Sequence, residues 1–252
     1  MIEILFTPAE FAVLPGRDLG NTTCVVFDVL RATSTMLTAL GNGAAGIIPV
    51  AEISEALAWR ARQPDILLAG ERDGLRIRTA QTGSVDFDFG NSPREFTREK
   101  VAGRTIAMTT TNGTRALRSC AHAQTVLLGS FLNLCAVAGW IERRRPQRLI
   151  LICSGTGDQA AYEDTLGVGA LGDLVQPMFG GAQTADSARI AIETFRAAQT
   201  GLRQSMEFSS NARRLRANPE LAPDVEICLR RDTLDLNAAL MEDGFVRSVV
   251  IA

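Results

Sequence analysis

TCVVF (residues 23–27) runs directly into DVLRATST (residues 28–35), and this junction decides the fold of the chain. The first segment is an apolar, β-branched run of strand length, and an apolar periodicity typical of a helix follows the second as far as Leu40. A strand, a polar loop and a helix form the repeating unit of an α/β sheet. Asp28 is therefore expected at the carboxyl end of a strand, where such sheets bind ligands.

Four further apolar runs also end in polar loops: DILLAG (65–70), RTIAM (104–108), TVLLG (125–129) and RLILIC (148–153). Helical patterns follow the last three of them, the longest over about residues 159–175. Strands that alternate with helices of this length indicate an α/β class fold. We expect a layered α/β/α arrangement around a mixed, largely parallel sheet.

Both ends of the chain are expected to add strands at the sheet edges. The segments are EILF (3–6) near the start and VEICL (225–229) and FVRSVVI (245–251) near the end. Residues 186–199 have the pattern of an amphipathic helix with an acidic start, whereas residues 78–88 and 211–224 are interpreted as irregular loops. Since no low-complexity linker interrupts the chain, we predict one compact domain over residues 1–252. An arrangement of this domain as two similar halves is an alternative.

Composition excludes several classes of protein. Hydrophobic residues make up 46% of the chain, charged residues 21%, and the net charge is −2, which argues against a nucleic-acid or membrane-surface partner. The N-terminus lacks the features of a signal peptide, and no apolar run is long enough to span a membrane. Five scattered cysteines without a C-x-x-C pair predict reduced thiols in the cytoplasm. His122 is the only histidine, so a histidine triad is nearly excluded.

The loop TTTNGT (109–114) follows a predicted strand and carries four threonines, an asparagine and a glycine. Helix capping and an Asn-Gly turn account for only part of this run. We interpret it as a cradle for a phosphate-like anion, although it does not match the P-loop pattern. GNSP (90–93) is a weaker signal that, taken alone, is more often an ordinary turn before a helix that starts with proline. The glycines and hydroxyls of SGTGD (154–158) precede a helix and could cradle an oxyanion.

Carboxylates close to these loops raise the question of a metal ion. Asp28 could bind a metal, attack phosphorus or only pair with Arg31. Glu163 and Asp164 are adjacent on a predicted helix, so at most one should point into a site, and the alternative is a solvated acidic first turn. Cys153 precedes SGTGD, but no arginine stands at the spacing of the tyrosine phosphatases, which favours a buried structural cysteine. The nucleophile is left open between Asp28, Cys153 and a metal-bound water.

Taken in order, the motifs DVLRATST, GER, FGNSP, TTTNGTRAL, GSFLN and SGTGD followed by EDTLGVGAL closely resemble those of the 2-phosphosulfolactate phosphatase (ComB-like) family. The likeness covers residues 27–175 and continues weakly to residue 232, including RRL (213–215) and PDVEICLRRD (223–232). The resemblance implies an α/β fold and magnesium-dependent hydrolysis of (R)-2-phospho-3-sulfolactate to 3-sulfolactate and phosphate, a step toward coenzyme M. A small polyanionic substrate and self-association into a homo-oligomer are expected, and the alternative is a non-catalytic sensor of anionic metabolites.

The resulting site prediction has four parts. Asp28, Arg31 and Asn112 are the expected catalytic residues, and the expected magnesium ligands are Asp28 with Glu71, Glu163 or Asp164. Arg94 and Arg115 are candidate partners for acid groups. Substrate binding is assigned to Thr33, Ser34, Arg72, Asn91, Ser92, Thr109, Thr110, Thr111, Gly113, Thr114, Ser154 and Gly155.

The chain departs from the family pattern in two places. The family usually has Ser-x-His-Gly ahead of RRL, whereas this chain has Ser-Ser-Asn-Ala at residues 209–212, so Asn211 replaces the histidine. The loop after GER is also longer than the resemblance implies. Family members occur in bacteria that do not make coenzyme M, so a close 2-phospho acid is an alternative substrate.

Overall fold

The computed structural model describes residues 1–179 and 184–250. The strands of this part of the chain form one ten-stranded sheet. They are Ile2–Leu5 (β1), Thr22–Phe27 (β2), Gly46–Val50 (β3), Leu67–Arg72 (β4), Leu75–Arg76 (β5), Thr105–Thr109 (β6), Thr125–Gly129 (β7), Arg148–Cys153 (β8), Asn237–Leu240 (β9) and Val246–Val249 (β10). Their order across the sheet is β1-β8-β2-β7-β9-β10-β3-β6-β4-β5.

Helices cover both faces of this sheet. They are Pro8–Ala12 (α1), Ala32–Gly41 (α2), Ile53–Arg62 (α3), Thr79–Thr82 (α4), Arg98–Val101 (α5), Gly113–Ser119 (α6), Leu134–Arg144 (α7), Tyr162–Val175 (α8), Asp186–Ala198 (α9), Leu202–Ser205 (α10), Ser210–Arg216 (α11) and Ala222–Cys228 (α12). Within the described residues, none of these helices combines the length and the apolar character needed to cross a membrane.

The strands predicted from apolar runs form the parallel part of the sheet. β2 lies between β7 and β8 and pairs with both in parallel, and every residue of β2 is buried. Burial on both faces explains why these segments are continuously apolar instead of alternating. One core cluster packs α7, α8 and α9 against the sheet, and a second packs α2 and α6. The predicted layered α/β fold with a mixed, largely parallel sheet is confirmed.

The sheet contains two groups of parallel strands that run in opposite directions, β1, β8, β2 and β7 on one side and β3, β6 and β4 on the other. β9 pairs antiparallel with both β7 and β10, and β10 pairs antiparallel with β3, whereas β3, β6 and β4 are parallel to one another. The carboxyl ends of β2 and β6 nevertheless lie close together, although these strands run in opposite directions. Gly113, after β6, packs against Asp28, after β2. A rotation of roughly 20–25° per strand turns the sheet by roughly 100–125° over the five steps between β2 and β6.

Three expectations about the C-terminal part were wrong. VEICL was predicted as a strand but lies largely in α12, where Pro223 occupies the first turn and the buried Val225 and Cys228 are three residues apart on one face. Residues 211–224 contain α11 and the start of α12 and are not an irregular loop. FVRSVVI does contain a strand, β10, but it lies at the centre of the sheet and not at an edge.

Three strands were missed altogether, among them the two-residue strand β5. β3 (GIIPV) contains Pro49, which is unusual inside a sheet, and β9 (NAAL) has low strand propensity. Residues 78–88, predicted as a surface loop, contain only the short helix α4 and are mostly exposed. The other predicted strands and the helix at residues 186–198 lie where the sequence placed them.

Candidate active site

The loops that follow β2, β4, β6 and β8 meet helix α11 around a cavity of about 230 Å³, called here the reaction cavity. Its walls combine carboxylates, hydroxyls, amides and two arginines. They are Asp28, Leu30, Arg31, Glu71, Asp73, Gly74, Asn91, Thr110, Thr111, Asn112, Gly155, Thr156, Gly157, Asn211, Arg214 and Leu215. The predicted strand-end motifs DVLRATST, GER, GNSP, TTTNGT and SGTGD each contribute to it.

Asp28 lies at the base of this cavity and is only 8% exposed. Its Oδ1 accepts a hydrogen bond of 3.0 Å from the N–H of Ala32. Burial raises the pKa of Asp28 to about 7. The bond from the N–H of Ala32 opposes this shift, and the charges of the nearby Glu71 and Glu163 add to it. Near neutral pH this carboxyl group therefore exists in both protonation states, which suits it to proton transfer.

Gly113 makes the close approach to Asp28 possible. A Cβ atom at this position would lie 2.8 Å from Oδ2 of Asp28 and 2.7 Å from the Cβ of Ala32. Both distances are shorter than van der Waals contact, so any larger residue would displace the carboxylate or the start of α2. Gly113 thus has a steric reason to be glycine, in addition to its place in a predicted binding loop.

Glu71 also lines the cavity and connects two of its loops. Its Oε2 accepts a 2.7 Å hydrogen bond from the N–H of Gly74, which closes the turn between β4 and β5. Its Oε1 accepts bonds of 2.9 Å from both the N–H and the hydroxyl of Thr111. The carboxylate therefore holds the TTTNGT loop in place and presents its remaining lone pairs to the cavity.

Glu163 and Asp164 are both buried, and neither side chain lines the cavity. Asp164 accepts hydrogen bonds from the N–H groups of Val29, at 2.8 Å, and Gly155, at 3.2 Å. Burial, followed by the charges of Glu163 and Asp28, raises its pKa well above the ordinary value. At most one of the pair was expected to point into the site and to hold magnesium, and neither side chain lines the cavity. Asp164 faces the loops after β2 and β8, and Glu163 faces the start of α11.

Glu163 lies one side chain behind the cavity wall. Its oxygens accept bonds of 2.6 Å from the hydroxyl of Ser209 and from Nδ2 of Asn211. Asn211, which replaces the histidine of the family pattern, also donates to Thr156 Oγ1 at 2.6 Å and accepts a bond from Arg214. Asn211 thus connects Glu163 to the cavity surface with a side chain that cannot itself titrate.

Arg31 is held by a partner that the sequence did not reveal. Its Nη1 lies 2.7 Å from Oδ2 of Asp224 on α12, and its Nη2 donates to the carbonyl of Gly74. Asp224, fully buried, also accepts 2.7 Å bonds from Ser92 and Arg94. The alternative in which Arg31 pairs with Asp28 is therefore wrong. The partner stands 193 residues away from Arg31, beyond the reach of any local pattern.

The predicted hydroxyl donors fall into two groups. Thr33 and Ser34 are fully buried and bond to the backbone carbonyls of Gly129 and Val29, which fixes the start of α2. Thr109, Thr114 and Ser92 likewise bond to protein groups and do not line the reaction cavity. The predicted binding residues whose side or main chains line it are Asn91, Thr110, Thr111 and Gly155, together with Asn112.

Three buried oxygen atoms at these loops have no hydrogen-bond partner in the described structure. They are Oδ1 of Asn91, Oδ1 of Asn112 and Oγ of Ser154. Because buried polar atoms are nearly always paired, such atoms at a cavity wall indicate groups that a ligand or ion would satisfy. Asn91 and Asn112 line the reaction cavity, and Ser154 lies next to the lining residue Gly155.

The donors fit a hard cation that is only partly enclosed by protein. Within residues 1–179 and 184–250, no three His, Cys, Asp or Glu side chains converge on one metal position. Magnesium, however, needs only one or two carboxylates, because it keeps several water ligands. Asp28 and Glu71, with the unpaired amide oxygen of Asn112, are the residues of this cavity that could hold it.

Cys153 and three arginines differ in their position relative to the cavity. Cys153 is fully buried in the core, and burial raises its pKa well above the ordinary value, so it is a poor nucleophile. Arg115 is exposed and lines no described cavity, whereas Arg72 faces a second, adjacent cavity. Arg214, which was not predicted, lines the reaction cavity and makes no ion pair among the described residues.

Comparison with known proteins identifies the family of the chain. The family model for 2-phosphosulpholactate phosphatase matches residues 11–242. A probable 2-phosphosulfolactate phosphatase from Caldanaerobacter subterraneus is 37% identical over 248 residues, which cover 97% of this chain and 98% of the relative. Proteins of the same name from Thermotoga petrophila and Symbiobacterium thermophilum are 37% and 36% identical, over 94% and 92% of this chain and 97% of each relative. The chain belongs to the 2-phosphosulfolactate phosphatase family.

Proposed function

We propose that this chain is a magnesium-dependent phosphatase that hydrolyses (R)-2-phospho-3-sulfolactate, or a close 2-phospho acid, to the 2-hydroxy acid and phosphate. The observation that carries the proposal is the buried Asp28 carboxyl, with its pKa of about 7, at the base of a cavity walled by hydroxyl and amide groups. Family membership supports the phosphatase reaction and the substrate class.

The charge of the reaction cavity supports a requirement for a cation. Asp28, Glu71 and Asp73 line it, against Arg214 and Arg31, and Arg31 is already paired with Asp224. A phosphate dianion would be repelled by this surface unless a cation separated it from the carboxylates. Magnesium held at Asp28 and Glu71, with Asn112 beside them, would neutralise the phosphoryl oxygens and polarise the ester phosphorus.

The residues of the chain then have distinct roles in the hydrolysis. Arg214, Thr110 and Thr111 are placed to contact phosphoryl oxygens at the cavity wall. The phosphorus–oxygen bond to the alcohol breaks, the oxygen of water finishes on phosphorus, and the leaving alkoxide takes up a proton. Oδ2 of Asp28 has no hydrogen-bond donor among the described residues and can exchange a proton there when it does not bind the metal.

Release of inorganic phosphate is the direct test. The protein should hydrolyse (R)-2-phospho-3-sulfolactate with added Mg²⁺, lose this activity in excess EDTA and regain it when Mg²⁺ is restored. Absence of turnover on this ester and on 2-phospholactate under all three conditions would contradict the proposal. Turnover that persists in EDTA would instead contradict only the metal requirement. Cytoplasmic location, a role in coenzyme M synthesis and self-association are also parts of the proposal and need their own measurements.

A non-catalytic sensor would behave differently in one further measurement. In the substitution Asp28→Asn a catalyst should lose turnover, while binding of 3-sulfolactate, followed by calorimetry, should persist. A sensor should release no phosphate in either form and should bind anions at least as well when one carboxylate is removed.

A further inference from the structure

A second cavity, of about 850 Å³, adjoins the reaction cavity and is called here the outer cavity. The two cavities share Arg31, Asp73, Gly74 and Asn91 in their walls, so they meet at these residues. Sites for small organic ligands usually enclose about 300–1,000 Å³. The reaction cavity alone falls below that range and the outer cavity falls within it. Together they offer more room than a three-carbon ester needs.

The two cavities differ in charge. The reaction cavity has more carboxylates than cations in its walls, as described above. The outer cavity has six cationic side chains against the three carboxylates of Asp73, Glu95 and Glu220. Counting also the buried Asp224 and the exposed Asp86, which pair with lining arginines, its walls still carry an excess of one positive charge. The cationic residues are Arg31, Arg72, Arg76, Arg78, Arg94 and Lys100.

Two of these cations make no ion pair among the described residues. Arg72 uses two N–H groups in bonds to the carbonyl of Glu71, at 2.7 Å, and to Thr109 Oγ1, at 3.2 Å, and a guanidinium has five such donors. Lys100 is exposed, and its Nζ lies 6.0 Å from the centre of the Phe89 ring. The other four are each paired with Asp224, Glu95 or Asp86. Arg72 and Lys100 are therefore the cations available to a ligand.

Asn91 provides an independent sign of a ligand at the junction. This residue is 5% exposed, lines both cavities, and its Oδ1 has no hydrogen-bond partner in the described structure. Its backbone carbonyl, by contrast, accepts a 3.0 Å bond from Thr35, which fixes the loop. A buried amide group held at the boundary, with one oxygen unsatisfied, can hydrogen-bond a polar group of a molecule that passes from one cavity to the other.

From these observations we infer that the outer cavity is a subsite for the distal acid group of an extended substrate, bound by Arg72 and Lys100. The preferred ester then has its phosphate in the reaction cavity and a carboxylate or sulfonate at the end of an alcohol portion longer than three carbons. This inference rests on the proposed phosphatase function and assigns it a broader substrate class than 2-phospho-3-sulfolactate.

A series of substrates of increasing length tests the inference. Phosphate release is measured with Mg²⁺ for 2-phospholactate, which lacks a distal acid, and for the 2-phospho derivatives of malate, 2-hydroxyglutarate and 2-hydroxyadipate. (R)-2-phospho-3-sulfolactate is the reference substrate. We expect kcat/KM to rise with length beyond malate and to reach at least about five times the value for 2-phospholactate, as expected for one partly exposed ionic contact.

Substitution of the unique lysine tests the assignment to this cavity. The measured quantity is the ratio of kcat/KM for the best long substrate to that for 2-phospholactate, because this ratio cancels any loss of folded protein. Lys100→Gln should lower the ratio about fivefold, and adding Arg72→Gln should lower it further. Arg98→Gln is the matched control, since Arg98 is on the same helix, is also exposed and cationic, and lines neither cavity.

The outcomes separate this inference from the function on which it rests. If (R)-2-phospho-3-sulfolactate is hydrolysed but kcat/KM falls steadily with length, the outer cavity is not a substrate subsite and the inference is overturned. The same conclusion follows if the ratio is equal in Lys100→Gln and Arg98→Gln. If no ester of the series releases phosphate, the phosphatase proposal itself fails.

Discussion

Asp28 and Glu71 line the reaction cavity, whereas Asp164 and Asp224 lie behind its walls, although all four carboxylates are buried. Behind the walls, both oxygens of each carboxylate accept hydrogen bonds. Asp164 accepts them from two backbone N–H groups, and Asp224 accepts them from two arginines and a serine. Asp28 has one N–H donor on Oδ1 and none on Oδ2 among the described residues. Burial alone therefore does not distinguish a reactive carboxylate from a structural one.

Hydrogen bonding of the carboxylate oxygens distinguishes Asp28 from Asp164 and Asp224. Glu71 combines both features, because it lines the cavity and its two oxygens also accept bonds from the loops of Gly74 and Thr111. A carboxylate whose oxygens all accept bonds from different loops holds those loops together, and its removal should mainly reduce stability. A carboxylate with an unsatisfied oxygen at a cavity wall is destabilised in the folded state, and its removal should mainly reduce activity. Substitutions at the two kinds of carboxylate should therefore affect different measured quantities.

The largest effect is expected for Asp28→Asn. This change removes a metal ligand and proton carrier while keeping the shape of the side chain. Phosphate release should fall by a factor on the order of 10³–10⁴, as for the loss of an acid–base group. The free energy of unfolding without metal should stay equal or increase, because a buried group no longer has to ionise. Turnover is measured with Mg²⁺ and unfolding with urea; a clear loss of stability without loss of activity would contradict the contrast.

Asp224→Asn tests the other side of the comparison. The guanidinium of Arg31, whose side chain is 2% exposed, would lose its one ion-pair partner among the described residues. Breaking one side of a buried ion pair typically costs about 3–5 kcal/mol of unfolding free energy. Glu226→Gln on the same helix is the control, because its pairs with Arg203 and Arg216 are exposed and should contribute less than about 1 kcal/mol. Equal urea midpoints for the two variants would contradict the structural role of Asp224.

The same contrast explains what the sequence could predict. Asp28 directly follows the apolar run of β2, and the loop 110–112 directly follows the apolar run of β6. Apolar runs predict strands, and loops at the ends of strands predict ligand sites. Their place at the cavity was therefore predictable. The Arg31–Asp224 pair joins residues 193 positions apart, and α12 was mistaken for a strand because a short apolar run fits either element. Arg214 and Asn211 were missed as cavity residues for the same reason, since only the folded chain brings α11 to the site.

Gly113→Ala should have an intermediate effect. The added Cβ atom would lie 2.8 Å from Oδ2 of Asp28, so the carboxylate or α6 must move. Overpacking of this kind costs about 1–3 kcal/mol, and displacement of Asp28 should lower kcat/KM about tenfold. Gly139→Ala in α7 is the control: its Cβ would meet only the flexible Arg143 side chain at 3.5 Å, so the variant should be stabilised by up to about 1 kcal/mol. Activity and urea unfolding are measured for both.

The smallest effect is expected for the change in unfolding free energy per pH unit of the metal-free protein. The pKa of Asp28 is about 7 in the folded chain, well above the value of about 3.9 for an unfolded aspartate. Between these values the folded state holds the proton and the unfolded state does not, so this group's contribution to stability is lost as the pH rises toward 7. In EDTA, the unfolding free energy of wild type relative to Asp28→Asn should therefore fall by up to about 1.4 kcal/mol per unit between pH 5 and 7. A difference that is constant over this range would mean that Asp28 is ionised throughout, and its role as a proton carrier would then be wrong.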